Sequence, residues 1–146
     1  MNTININSNS LSKALQNIIG VVERKQTMPI LSHILIECKN DTLVLTSTDL
    51  EVQLSTELFL DNDTADFITT APGRKIFEII RSLDDKDLTV SVSENDITVE
   101  SQSSKFKLQS LPPNEFPLFE TTDKETSFVI KQANLKTLLH KTHFAM

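Results

Sequence analysis

Apolar residues recur at helical spacing in two stretches of the chain and at alternate positions through most of the rest. In the first stretch Leu11, Ala14, Leu15, Ile18, Ile19 and Val22 fall at i, i+3, i+4, i+7, i+8 and i+11, a single apolar stripe. This predicts an amphipathic helix over 11–25, capped by Ser8, Asn9 or Ser10 and followed by a loop that Pro29 closes. Lys13, Gln16, Asn17 and Arg24 take its solvated face. The second stretch, 72–83, turns Ile76, Phe77, Ile79, Ile80 and Leu83 inward and places Arg74, Glu78 and Arg81 on one outer face at i, i+4 and i+7. Pro72 stands where a first-turn proline is tolerated.

Elsewhere the period is two. Leu50, Val52 and Leu54 alternate with Glu51, Gln53 and Ser55, and Leu88, Val90 and Val92 with Thr89, Ser91 and Ser93. A turn at 94–96 leads into Ile97 and Val99, the signature of a hairpin, and Phe106 and Leu108 alternate with Lys105, Lys107 and Gln109. Segments 30–38, 43–47 and 67–70 read as further strands. The order predicts an α+β domain, β-α-β-β-β-α-β-β-β, with both helices packed on one side of an antiparallel sheet.

Composition shifts at Leu111. The proline-rich 112–117 and the polar, acidic 120–126 read as a connection, after which 128–130 reads as a strand and 134–146 as an amphipathic helix. Displacing the chain on itself by 124 positions aligns Ile4 with Phe128, Ile6 with Ile130, Leu11 with Leu135, Ala14 with Leu138, Leu15 with Leu139 and Val22 with Met146. The strand–helix opening is thus written twice. A period this long points to tandem whole domains rather than a solenoid. The expected division is a first domain over 1–118, a linker over 119–126 and the truncated start of a second domain over 127–146.

With 146 residues, 38% of them hydrophobic and 23% charged, the chain fits one soluble core. No apolar run approaches the roughly 20 residues of a bilayer span, and no secretory signal opens the chain. Its single cysteine, Cys38, excludes an intrachain disulfide framework and fits a reducing, cytoplasmic setting. The net charge of −6 argues at first against a nucleic-acid partner, but the distribution changes that. The two helical stretches hold Lys13, Arg24, Lys25, Arg74, Lys75 and Arg81 against only Glu23 and Glu78, a basic island on an acidic body.

Candidate chemistry is thin. Aspartates at 61 and 63 and at 84, 85 and 87 suggest metal-dependent phosphodiester cleavage, yet they sit in turn-like stretches, lack calcium-loop spacing and have no histidine near in sequence. His140 and His143 lack an acidic or cysteine partner at ligand spacing. Cys38 and His33 lie at odd and even positions of one strand and so face opposite ways. The 71–75 segment lacks the first glycine and the Ser/Thr of a phosphate-binding loop. No catalytic constellation, metal site or cofactor site is expected, and a phosphodiesterase stands as the alternative reading. Without Trp or Tyr, and with eight Phe at inward or linker positions, a stacking platform for single strands is disfavoured. What remains is a basic helical face suited to duplex phosphates without base reading.

Six stretches in order carry a family resemblance: Leu11 to Leu15 with Met28-Pro29-Ile30-Leu31; Leu45-Thr46-Ser47-Thr48-Asp49-Leu50-Glu51; Ala71-Pro72-Gly73-Arg74-Lys75-Ile76-Phe77; Ser104-Lys105-Phe106-Lys107-Leu108; Leu111-Pro112-Pro113-Asn114-Glu115-Phe116-Pro117; and Phe144-Ala145-Met146. Over essentially its whole length the chain resembles the N-terminal portion of the bacterial DNA polymerase III β subunits, the sliding clamps. The resemblance implies a DNA-clamp fold and a head-to-tail homodimer of three like domains per subunit, closed around duplex DNA. It implies a non-catalytic processivity factor that tethers the polymerase without sequence specificity. Lys25 and Arg74 would face DNA, with Arg24 and Arg81 as neighbours of the right charge; lysine at 25 replaces the family's usual arginine and loses its bidentate geometry. Phe106 and Leu108 would meet the partner subunit, presented on an exposed edge strand and directed to solvent or to that partner, with Lys75 and Lys105 beside the same junction. DNA polymerase III and the clamp loader would bind domains that this stretch of chain lacks.

Overall fold

In the computed structural model residues 2–22, 27–61, 66–84, 86–119 and 127–146 are described. Strand β1 (Asn2–Asn7) runs directly into helix α1 (Ser8–Ile18). Asn7, one residue before the expected caps, is the N-cap: its side-chain oxygen accepts from the backbone N–H of Asn9 at 3.1 Å and of Ser10 at 3.3 Å. The helix stops earlier than the stripe predicts. A 3₁₀ turn over Ile19–Val21 follows, and Val22 is extended and fully buried. The Ser47 hydroxyl donates to the Ile18 carbonyl, satisfying one of the orphan acceptors of the helix end.

The stretch expected as a strand from residue 30 begins as a 3₁₀ turn, Pro29–Ser32, because Pro29 has no N–H for a ladder; Ser32 Oγ donates to the Pro29 carbonyl at 2.7 Å. Strands β2 (His33–Lys39) and β3 (Thr42–Thr48) are joined by Asn40 and Asp41, both at positive φ, the two-residue turn whose twist suits a hairpin. Leu50 and Val52 are not strand residues. The Asp49 carboxylate accepts from Glu51 N–H at 2.9 Å and Val52 N–H at 2.7 Å, the Thr48 hydroxyl accepts from Leu50 N–H, and Leu50 sits at φ 77° with its side chain exposed. This closed turn overrides the alternation, and β4 starts only at Gln53 (Gln53–Phe59). Then come β5 (Phe67–Pro72), α2 (Gly73–Ser82), β6 (Asp87–Val92), β7 (Asp96–Glu100), β8 (Lys105–Gln109) and a 3₁₀ turn over Pro113–Glu115.

The strands form two four-stranded antiparallel sheets rather than the single sheet expected, in the orders β1-β6-β7-β8 and β4-β3-β2-β5. The chain is built as two successive β-α-β-β-β units, and each unit gives its first strand to the other unit's sheet: β1 pairs with β6, and β5 with β2. Period-two patterning fixes which residues face inward, not which strands become neighbours. One core lies between the layers. It takes Ile4 and Ile6 from β1, Leu11, Leu15 and Ile18 from α1, Ile34 and Ile36 from β2, Ile76 and Ile80 from α2, and Ile97 and Val99 from β7. The helices pack on each other, α1 also on β3 and β4, α2 also on β2 and β5.

On the other side of the β2 sheet, Ile30, Leu31, Leu35 and Phe116 form a smaller cluster, covered by the chain from Leu111 onward. A polar clip holds that segment. Thr70 Oγ1 donates to the Leu111 carbonyl at 2.8 Å and accepts from Leu111 N–H at 2.9 Å. With its one hydrogen committed, the hydroxyl meets His33 Nδ1 at 3.2 Å as acceptor, which makes Nδ1 the protonated nitrogen. Burial holds this imidazole below the ordinary histidine pKa.

Residues 127–131, expected to hold a strand at 128–130, have no regular structure; no neighbouring strand offers them a ladder, and Phe128 is 84% exposed. Helix α3 (Gln132–Thr142), ending in a 3₁₀ turn over His143–Ala145, leaves Leu135, Leu138 and Leu139 exposed.

Candidate nucleic-acid interface

The outer face of α2 carries the basic residues that the spacing places there. Its first turn follows Pro72 with no side-chain cap, so the amide groups at this end leave a positive pole, and Arg74 and Lys75 stand in it. Lys75 is exposed, whereas Arg74 is half-buried. The Arg74 Nε is buried and has no hydrogen-bond partner among the described residues. Among the described residues no carboxylate forms an ion pair with Arg74. At the other end of the helix Arg81 lies over the Phe77 ring, 5.4 Å from its centroid, an i, i+4 cation–π pair at the pole that favours a cation. Lys13 is exposed on α1. Arg24 and Lys25 lie outside the described residues.

Position is set by Gly73. A Cβ there would stand 2.9 Å from Ile34 Cγ2 and 3.3 and 3.4 Å from the two Val22 methyls, so the first turn of α2 lies against β2 and against the residue that ends the α1 segment. This contact fixes the turn that carries Arg74 against β2 and the end of the α1 segment. The sequence signal for it is weak, because a glycine opening a helix usually serves the backbone rather than a close approach.

Strand β8 is the edge of its sheet. Its pairing puts Phe106 opposite Val99 and Leu108 opposite Ile97, and both side chains are half-buried against the main core. The expectation that they are directed to open solvent is corrected in part: both are only partly exposed, and the exposed residues of the strand are Lys105, Lys107 and Gln109. Lys105 pairs with Glu100 at 3.3 Å and Lys107, which the spacing did not single out, with Asp96 at 2.9 Å. The Lys107 hydrogen bond, followed by that of Ser93, holds the Asp96 carboxyl below its usual range.

The remaining candidates do not converge. Asp61 and Asp87 line a cleft of about 450 Å³ with Asn5, Asn7, Ser10 and Phe59, while Asp63 and Asp85 lie outside the described residues. Among the described residues no cluster of three His, Cys, Asp or Glu side chains is placed to hold a metal ion. His140 and His143 line a groove along α3 with Leu135 and Leu139. Cys38 is buried in the main core, on the opposite face of β2 from His33 and its partner Thr70; burial, then Asp66 and Asp41, push its thiol pKa up. No described helix is long and apolar enough to cross a membrane.

Residues 2–120 match the family model of the DNA polymerase III beta subunit, N-terminal domain. The chain is 39% identical to the beta sliding clamp of Pseudomonas aeruginosa over 142 residues, 97% of this chain and 39% of that relative. It is 36% identical to a beta sliding clamp sequence of Vibrio harveyi over 141 residues, 96% of this chain and 97% of the other. A crystal structure of the Pseudomonas aeruginosa sliding clamp superposes with a TM-score of 0.92 at 37% identity, covering 99% of this chain and 40% of that one. The chain thus spans about two-fifths of the full-length relatives it matches. A DNA-clamp fold built from two antiparallel sheets and a pair of helices, together with these matches, places the chain in the DNA polymerase III β-subunit family, the beta sliding clamps.

Proposed function

We propose that this chain forms part of a ring-shaped homodimer that encircles duplex DNA and slides along it, the processivity factor of DNA polymerase III in the cytoplasm. The observation that carries the reading is the separation of charge: Arg74, Lys75, Arg81 and Lys13 stand on helices of a chain whose net charge is −6, and the buried Nε of Arg74 has no partner among the described residues. Long cationic side chains contact phosphates without reading bases, so DNA is held without a fixed register and the ring slides. In this reading Arg74 and Arg81, with Arg24 and Lys25, face the duplex. The function is topological and needs no catalytic group, metal or cofactor.

The first clamp domain would occupy 1–118, the linker 119–126 and the opening of the second domain 127–146. Exposure of Leu135, Leu138 and Leu139 supports this, since an amphipathic helix with an uncovered apolar face needs the rest of a core. The β8 edge, with Phe106 and Leu108 beneath it and Lys105 on it, would meet the other subunit head to tail, and Lys75 would lie near the same junction. DNA polymerase III and the clamp loader would engage the domains beyond this chain.

The test is retention of the full-length protein on nicked circular DNA at several salt concentrations. Lys25→Ala with Arg74→Ala should shorten retention by more than Lys25→Ala alone while the variant stays folded, with only a small fall in the unfolding midpoint from the lost packing of the half-buried Arg74, and the effect should be the same for every duplex sequence. The 146-residue chain alone, lacking the ring, should bind duplex no tighter than roughly 10⁻⁴ M at physiological salt. Retention unchanged in the double variant, or sequence-selective binding, refutes the roles given to these residues.

A further inference from the structure

Glu78 stands between two cations on the outer face of α2, four residues after Arg74 and three before Arg81, within reach of both. Among the described residues it pairs with neither: the ion pairs there join Lys105 to Glu100 and Lys107 to Asp96. For Arg74 the restraint is burial, since the side chain is half-buried and its Nε is enclosed. Arg81 has no such restraint. It is exposed, as are Glu78 and, three residues further on, Asp84, yet it closes on neither carboxylate. Its guanidinium carbon lies over the Phe77 ring instead, 5.4 Å from the centroid, inside the roughly 6 Å at which a ring face attracts a cation.

Phe77 is suited to hold it. The ring is half-buried and packs against the main core, so its plane is fixed from below. Ile76, Ile79 and Ile80 already fill the buried side of the helix, and for apolar bulk at this boundary leucine would serve as well. What phenylalanine adds is the negative face of its π-system. The contact is made by charge and not by a hydrogen bond, so the N–H groups of the guanidinium stay available to phosphate oxygens.

We infer that, where α2 faces duplex DNA as proposed above, Phe77 is the positioning residue for Arg81: the ring keeps the guanidinium off the Glu78 carboxylate and free for a phosphate. Without the ring, Arg81 turns to Glu78, which cancels its charge and occupies its donors. An exposed cation–π contact shifts such a balance by roughly two- to five-fold. Glu78 then acts as the competitor that makes the ring necessary.

Two measurements test this. In NMR spectra of the 146-residue chain the Arg81 side-chain protons should be displaced upfield by the Phe77 ring current, and Phe77→Leu should abolish the displacement. Ordinary arginine positions in the wild type overturn the contact and the role built on it. On nicked circular DNA, full-length Phe77→Leu should shorten retention roughly two- to five-fold, and Arg81→Ala at least as much. In the Arg81→Ala background Phe77→Leu should add nothing, because the ring acts only through the guanidinium. Glu78→Gln should lengthen retention more in Phe77→Leu than in the wild type, since it removes the competing carboxylate. Urea unfolding verifies that each variant is folded under the assay conditions. Equal shortening by Phe77→Leu with and without Arg81 means packing alone and overturns the positioning role. Unchanged retention in Phe77→Leu, with Arg81→Ala impaired, overturns it too and leaves the ring reading standing. An Arg81→Ala variant that matches the wild type removes Arg81 from the duplex face, and the role of Phe77 falls with it.

Discussion

Replacing Gly73 by alanine adds one methyl group where the fold has no room for it. The new Cβ would stand 2.9 Å from Ile34 Cγ2, and carbon contacts are at their best near 3.5–4.0 Å, so something must yield by roughly 0.6–1 Å. Ile34 and Val22 are both fully buried and β-branched, with one strongly preferred χ1 rotamer each, so neither turns aside cheaply. Overpacking of this kind costs about 1–3 kcal/mol. Alanine returns up to about 1 kcal/mol of helix propensity. The expected net loss is about 1–2 kcal/mol, which urea unfolding reads as a midpoint lowered by roughly 0.5–1 M at unchanged slope. Gly20 supplies the control: a Cβ there meets nothing within 4 Å, so Gly20→Ala should stay within about 0.5 kcal/mol of wild type. A Gly73→Ala midpoint equal to or above that of wild type would falsify the close-approach account of how α2 is positioned.

Three further outcomes are expected. Asn7→Ala should cost about 1 kcal/mol in urea unfolding through loss of the α1 cap, while Asn7→Asp, which keeps an acceptor, should cost much less; equal losses would remove Asn7 from that role. Because His33 has a folded pKa below its ordinary 6.5, the unfolded chain takes up its proton first as pH falls, so stability present above pH 6.5 declines on acidification toward the lower folded value. His33→Gln should flatten that part of the profile, measured as unfolding midpoint between pH 7 and pH 5, and a profile of unchanged slope contradicts the burial argument. Leu50→Asn should raise the midpoint by about 0.5–1 kcal/mol, since asparagine tolerates the left-handed conformation that leucine is forced into at φ 77° with its side chain exposed; a lowered midpoint means that the Leu50 side chain has packing worth more than the strain.

What the chain reveals before folding is local. The apolar stripe of α1 and the outer triad Arg74, Glu78 and Arg81 of α2 follow from the 3.6-residue period, so the basic face is legible from spacing alone. Where tertiary contacts decide, spacing fails. Val22 continues the stripe of α1 on paper but leaves the helix to pack against Gly73. Leu50 and Val52 continue the alternation of β4 but are held in a turn by Asp49 and Thr48. Phe106 and Leu108 alternate as expected, yet which side of β8 faces the core is settled by their partners Val99 and Ile97 across the ladder. The two-sheet arrangement is the least legible feature, because β1 and β6 carry nothing in their patterns that names each other as neighbours.

The exchange of first strands between the two β-α-β-β-β units bears on how the chain emerges from a ribosome. Asn5 and Thr89, whose side chains bond at 2.9 Å across β1 and β6, are 84 residues apart in sequence. During synthesis the first strand, with Ile4 and Ile6, has no ladder until the strand ending at Val92 has been made, whereas β2, β3 and β4 can pair as soon as they appear. Strand β1 is thus among the last elements of this domain to find its place, and closing that long loop makes completion of this sheet slow relative to the local hairpins. In the interval a strand with Ile4 and Ile6 on one face and two open edges waits beside a partly formed core, the kind of surface that invites pairing with a neighbouring nascent chain.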